Sequence, residues 1–217
     1  PFQMWGIQGD ESLAEKLPFV KAGLPGVFVT PDVTPYKKRK VRILNGAHTA
    51  FVPGSWVAGF DIVRDCIHDE TIRGFMNTML YDEVIPTLAA DLDVEDCKAF
   101  AAAVENRFDN PFIDHALLSI CLNSTAKWRA RDLPTLKDYV AETGNLPKCL
   151  ATSLATLIAF YTQELVAREG DGLHLRRADG TEYTAQDDAF VLDFYAAHAD
   201  TDDAQLVHDV LTNEQMW

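Results

Sequence analysis

From Pro35 onward the chain is cut into lengths that suit helices, and the cuts carry helix-end chemistry. Asp69 stands where an N-cap belongs, before residues 71–84. Glu70 adds negative charge near the positive end, and Pro86 lies near the far one. Asp93 does the same for residues 94–108, where Phe100, Ala103, Val104 and Phe108 recur at helical spacing. Asn110-Pro111 predicts a helix over 112–122, Pro134 one over 135–142 closed by Gly144, and Pro147 an apolar one reaching about 164. A first helix begins near Tyr36, with a kink or break expected at Pro53-Gly54 before residues 55–66. Asp179-Gly180, between 174–176 and 182–184, predicts a small hairpin. Two last helices are expected near 187–198 and 202–211, the second capped by Thr201. A mostly α, multi-helix fold follows.

Residues 1–36 have a different texture. Two β-prone segments, 2–7 and 26–30, flank a short helix or loop over 12–19, and two strands alone make a poor domain. With 217 residues, 47% of them hydrophobic, there is material for one core or a core plus a small annex. The formal charge of −14 and the lack of a basic stripe argue against nucleic acid, and residues 37–42 are a local basic exception in an acidic field. Cys66, Cys97, Cys121 and Cys149 are widely spaced, as expected of a reduced, cytoplasmic protein. No export signal opens the chain, and the longest mostly apolar segment, 149–161, is too short to span a bilayer, so no membrane partner is expected.

Within that first helix, residues 39–49 gather chemistry. Lys40, Asn45 and His48 stand at offsets of 0, +5 and +8, which at ~100° per residue places them at about 0°, 140° and 80°, one half of one helix. Gly46 and Ala47 between them permit close approach. An amine that moves a proton, an amide that donates to a developing oxyanion and an imidazole that holds a hydroxyl suit a carbinol or carbonyl. By residue type alone, Lys40 is as readily a solvated surface charge, Asn45 a core asparagine and His48 a structural histidine. The neighbouring cations Lys37, Lys38, Arg39 and Arg42, with partial burial, would disfavour charge on Lys40.

Other chemistries find less support. The histidines are scattered and no H-E-x-x-H or paired-cysteine spacing occurs, so no catalytic metal is expected. There is no G-x-S-x-G elbow for a nucleophile and no G-x-G-x-x-G for a dinucleotide. Residues 123–131 interrupt two apolar helices with polar side chains and bring three cations within five positions. That stretch is either a solvated loop or a clamp for an anionic group.

The string KVRILNGAHTA resembles the start of the C-terminal domain of the polyol-specific long-chain dehydrogenases, the family of mannitol 2-dehydrogenase, fructuronate reductase and tagaturonate reductase. The family's K-x4-N-x2-H pattern falls on Lys40, Asn45 and His48. Trp5 to Asp10, Leu17 to Leu24, Thr34 to Ala50, Asn110 to His115 and Leu122 to Trp128 are most similar to the tagaturonate reductase (altronate oxidoreductase) branch. These segments lie in the first two-thirds of the chain. The resemblance implies that residues 1–36 are the tail end of a nucleotide-binding domain, and that 37–217 form a helical catalytic and substrate-binding domain. It further implies an NAD-dependent oxidoreductase interconverting D-tagaturonate and D-altronate, with Lys40 as general acid/base and Asn45 and His48 polarising and orienting the oxygen. NAD would be bound mainly by a domain absent from this chain, which would also supply a second asparagine. A hexuronate carries a carboxylate, so the resemblance favours Lys127 as a substrate contact, with Arg129 and Arg131 as further candidates. A fructuronate- or mannitol-specific relative and a non-catalytic helical module are the alternatives.

Overall fold

A computed structural model describes residues 4–217. Strand β1 (Trp5–Gln8) pairs in parallel with β2 (Val27–Thr30), and α1 (Glu11–Lys16) and α2 (Pro18–Lys21) make the crossover between them. Residues 2 and 3 of the expected first strand lie outside the described residues. Asp10 caps α1 by accepting the Ser12 amide at 2.9 Å, and Pro18 opens α2 at a position where no amide is needed.

The helical part begins with α3 (Thr34–Arg39), which runs into a π-helical turn (Lys40–Asn45) and on into α4 (Gly46–Val57) without a break. The expected break at Pro53-Gly54 does not occur: Pro53 lies inside α4, buried, and the helix continues to Val57. Gly54 is explained by packing instead. A Cβ there would stand 2.9 Å from Thr156 Cβ, so its absence lets α4 lie close against α11 (Lys148–Tyr161). Ala47, Ala50, Phe51 and Val52 of α4 and Leu150, Leu157 and Phe160 of α11 form the middle of the core.

Helix α5 (Val63–His68) leads to α6 (Glu70–Thr78), whose cap is the predicted Asp69, accepting the amides of Thr71 and Ile72. A second π-helical turn (Met79–Val84) extends α6, followed by a 3-10 turn (Pro86–Leu88). Helix α7 (Val94–Phe108) has the predicted bounds, and Asp93 accepts the Asp96 amide. The helix expected over 112–122 shrinks to α8 (Leu117–Ile120). The Asn110 side chain accepts the Phe112 amide at 3.0 Å, which turns the chain, and an Ile62–Ala116 bridge holds the segment extended.

Helices α9 (Ser124–Arg131) and α10 (Leu133–Thr143) follow, the latter closed by left-handed Gly144 at φ +70°. Strands β3 (Glu164–Glu169), β4 (Gly172–Arg176) and β5 (Glu182–Ala185) form an antiparallel sheet, so the expected hairpin gains a third strand and the helix before it ends at Tyr161. After α12 (Ala189–Ala197), α13 (Asp203–Leu211) is capped by Asp202, which accepts the Gln205 amide, and not by Thr201. Among the described residues no helix is long and apolar enough to cross a membrane.

Candidate active site

The basic run is sorted by pairing. Lys38 pairs with Asp91, Arg39 with Asp96, and Arg42 reaches Asp138 at 3.1 Å and the Thr135 hydroxyl at 2.6 Å. Lys40 is exposed and has no hydrogen-bond or ion-pair partner among the described residues, as is also true of Lys37. The surroundings expected for Lys40 are therefore not built in this chain: three of its four cationic neighbours are matched by carboxylates, and it is not buried.

The π-turn alters how the motif is presented. The Gly46 amide reaches the Val41 carbonyl five residues back, so one turn takes more than four residues. Asn45, five after Lys40, then lies nearer to directly above it than the 140° of a regular helix. The Asn45 side-chain amide has no protein partner among the described residues, while its carbonyl accepts the Thr49 hydroxyl at 3.0 Å.

His48 occupies a drier place. Its ring stacks on Phe108 at 4.1 Å between centroids and meets the edge of His115 at 5.6 Å. Burial pushes its pKa down to about 3, helped by the neighbouring His115 and by the cations Arg131, Arg107 and Lys127. It is a neutral imidazole at any working pH, and its buried Nε2 has no hydrogen-bond partner. Beside it lies a cleft of about 260 Å³, lined by Leu44, His48, Arg107, Phe108, Asn110 and His115 among others. That is just below the ~300 Å³ at which ligand pockets begin, a volume for a small polar molecule. It is too small for a dinucleotide.

The three cations of 123–131, a stretch expected to be a loop or a clamp, lie on helix α9, and two of them stand near His48. Lys127 and Arg131 are one turn apart and both act on His48, whereas Arg129, two positions from each, turns away and donates to the Gln215 carbonyl at 3.1 Å. That bond ties down the C-terminal segment. Lys127 donates to the Ile120 carbonyl at 2.9 Å, and burial lowers its pKa. Arg131 donates to the Thr49 hydroxyl at 3.0 Å and lies 3.5 Å from the Asn45 carbonyl, so it braces the motif helix. Left-handed Asn123 at φ 52°, its amide bonded to the Gln186 carbonyl at 2.9 Å, sets the start of α9. Trp128, donating to Ser153 at 2.9 Å, anchors that helix in the core.

Two residues given no role from the sequence, Arg107 and His115, line the cleft. Arg107 sits in the last turn of a helix legible from its Asp93 cap and its apolar spacing, neither of which marks Arg107 itself, and His115 lies on a segment predicted as helix. Among the described residues no group of three or more His, Cys, Asp or Glu is placed to hold a metal.

The helical fold has counterparts among sugar-alcohol dehydrogenases of known structure. The fold matches 88% of this chain to 36% of Pseudomonas fluorescens mannitol 2-dehydrogenase, solved as a ternary complex with NAD and D-mannitol, with a TM-score of 0.72 and 24% identity. It also matches a substrate-free D-sorbitol dehydrogenase with a TM-score of 0.67 and 21% identity. More particularly, residues 32–217 match the mannitol dehydrogenase C-terminal domain, and the chain belongs to that family. Its similarity to altronate oxidoreductase covers the whole chain, at 40% identity for the Yersinia enterocolitica protein and 43% for that of Klebsiella pneumoniae. The chain spans 43% of the length of those relatives.

Proposed function

We propose that this chain is the substrate-binding and catalytic part of an NAD-dependent hexuronate oxidoreductase that interconverts D-tagaturonate and D-altronate. The observation that carries the reading is that Lys40, Asn45 and His48 keep their functional ends free of protein partners while most cations around them are matched. Of the three only the buried His48 Nε2 is costly to leave idle, while the Lys40 amine and the Asn45 amide stay open to a ligand, and each can act on a carbinol. In oxidation the Lys40 amine accepts the hydroxyl proton; in reduction its ammonium returns a proton to the carbonyl oxygen. The Asn45 amide donates to that oxygen as negative charge develops on it. His48, neutral, takes part only as a hydrogen-bonding group and fixes an adjacent hydroxyl.

Bound NAD supplies the hydride acceptor or donor. Its site belongs, in this proposal, to a nucleotide-binding domain outside this chain, with residues 1–36 closing that domain and 37–217 forming the helical one. The similarity to altronate oxidoreductases over the full chain favours the hexuronate over a neutral polyol. The test is NADH oxidation by the polypeptide that carries this chain, with tagaturonate, fructuronate and fructose compared. Selective turnover of tagaturonate is expected. Preference for fructuronate or fructose would move the chain to another branch, and failure to bind NADH would leave it a non-catalytic helical module.

A further inference from the structure

The charge around His48 runs against that of the chain. The formal net charge is −14, yet the groups that act on the His48 ring are the cations Arg131, Arg107 and Lys127 and the His115 imidazole, with no carboxylate among them. A cleft with the Arg107 guanidinium in its wall and the Arg131 and Lys127 cations near its His48 concentrates anions locally against a repulsive long-range field. The sequence pointed to Lys127, Arg129 and Arg131 for that purpose, but each is engaged within the protein, Lys127 on the Ile120 carbonyl, Arg129 on the Gln215 carbonyl and Arg131 on Thr49. Arg107 is different. It is exposed in the last turn of α7, lines the cleft, and has no hydrogen-bond or ion-pair partner among the described residues. His115, exposed on the facing segment, lines the same cleft with its ring edge-on to His48. A planar guanidinium with its donors unused matches a carboxylate in two parallel hydrogen bonds.

We propose that Arg107, seconded by His115, binds the carboxylate of the substrate and sets the preference for a uronate over the neutral sugar of the same skeleton. This rests on the reading of the chain as a hexuronate oxidoreductase. The substrate then lies with its carboxylate against Arg107 and a hydroxyl against His48, and the carbinol further along toward Asn45 and Lys40.

The experiment uses the whole polypeptide and compares tagaturonate with D-tagatose, which has CH2OH in place of the carboxylate. Arg107→Gln is expected to raise KM for tagaturonate 10- to 100-fold with kcat within threefold, and to leave kcat/KM for tagatose within twofold. Arg107→Lys, retaining charge without the fork, should recover at least a third of the lost kcat/KM. His115→Asn should raise KM for tagaturonate severalfold. The wild-type KM for tagaturonate should climb with salt, and that of Arg107→Gln should not. Unchanged tagaturonate kinetics in Arg107→Gln, or equal losses on both sugars without rescue by lysine, would overturn the assignment. A wild-type enzyme that reduces neither sugar would instead sink the parent reading, and this one with it, before any variant is made.

Discussion

The described residues contain two π-helical turns of six residues each, and their polar groups are treated in opposite ways. Behind the second, Met79–Val84, the Glu83 side chain is buried and fully employed: its two oxygens accept the amides of Cys149 at 2.8 Å and Leu150 at 2.9 Å. That carboxylate caps the N-terminus of α11, where helix amides otherwise lack partners. The first, Lys40–Asn45, has Asp132 behind it, also buried, whose carboxyl presses on Gly46 and makes no hydrogen bond through Oδ2. On the other side of the same turn, Lys40 and Asn45 are unmatched as well. An extra residue in a helix is thus not in itself a sign of function. What separates the two turns is whether their polar groups are consumed by the fold or left over.

The largest expected effect tests the left-over turn. Lys40→Ala should lower kcat of the whole enzyme by about 10³-fold, within the range for loss of a general acid/base, and move Tm by no more than about 2 °C because Lys40 is exposed and unpaired. Unaltered turnover would make the first turn as structural as the second. The converse holds at Glu83. Glu83→Ala strands two amides at a buried helix start and should cost about 3 kcal/mol, read as an earlier urea midpoint, with kcat per folded molecule unchanged. A stability loss below about 1 kcal/mol would mean that the cap is not what holds α11 against the second turn.

How much of this was legible follows from what each feature leaves in a sequence. Caps and stops are local, so Asp69, Asp93, Pro134 and Gly144 announced their helices. Neither π-turn could be read, since one i to i+5 turn creates no periodicity of its own. Pro53-Gly54 reads as a break because the tertiary reason for Gly54, a Thr156 methyl-bearing carbon 2.9 Å from where its Cβ would be, lies a hundred residues away. Asn110-Pro111 reads as the start of a helix over 112–122, but one side-chain bond from Asn110 and one bridge at Ala116 take precedence over its first half. In the candidate site, the identity and spacing of Lys40, Asn45 and His48 were visible. The burial that neutralises His48, with Phe108 stacked on its ring, was not, and neither were the cations that add to it. The cluster on α9 was visible as charge only; a two-residue offset on a helix decides that Arg129 faces the C-terminal segment while Lys127 and Arg131 face the site.

His48 offers a sharper test at intermediate size. Its folded pKa of about 3 lies below the ordinary value of 6.5, so between these the unfolded chain binds a proton that the folded one refuses. Stability must therefore fall as pH drops through this window, by up to about 1.4 kcal/mol per pH unit from this group. Urea unfolding from pH 7 to 4 should show that slope in the wild type and a shallower one in His48→Gln. Equal slopes would mean that the ring takes up its proton in the folded state and that the cleft is wetter than its packing on Phe108 indicates.

Asp132 has the opposite sign and the smallest effect. Burial raises its pKa well above the ordinary 3.8, against the lowering influence of Arg131 and Arg42, so the folded protein keeps a proton that the unfolded chain releases. Stability from this group is lost as pH rises above about 4. Asparagine has nearly the shape of a protonated carboxyl and does not titrate. Asp132→Asn should therefore match the wild type near pH 4 and exceed it by about 1–2 kcal/mol at pH 8, a modest figure because both arginines partly compensate the charge. The same substitution at Glu83, to glutamine, should destabilise, since an amide presents only one acceptor oxygen to the two amides of α11. If Asp132→Asn destabilises at every pH, the carboxyl is an ionised partner of Arg131 and Arg42. Both turns would then rest on matched carboxylates, and the distinction between them would reduce to the side chains of Lys40, Asn45 and His48 alone.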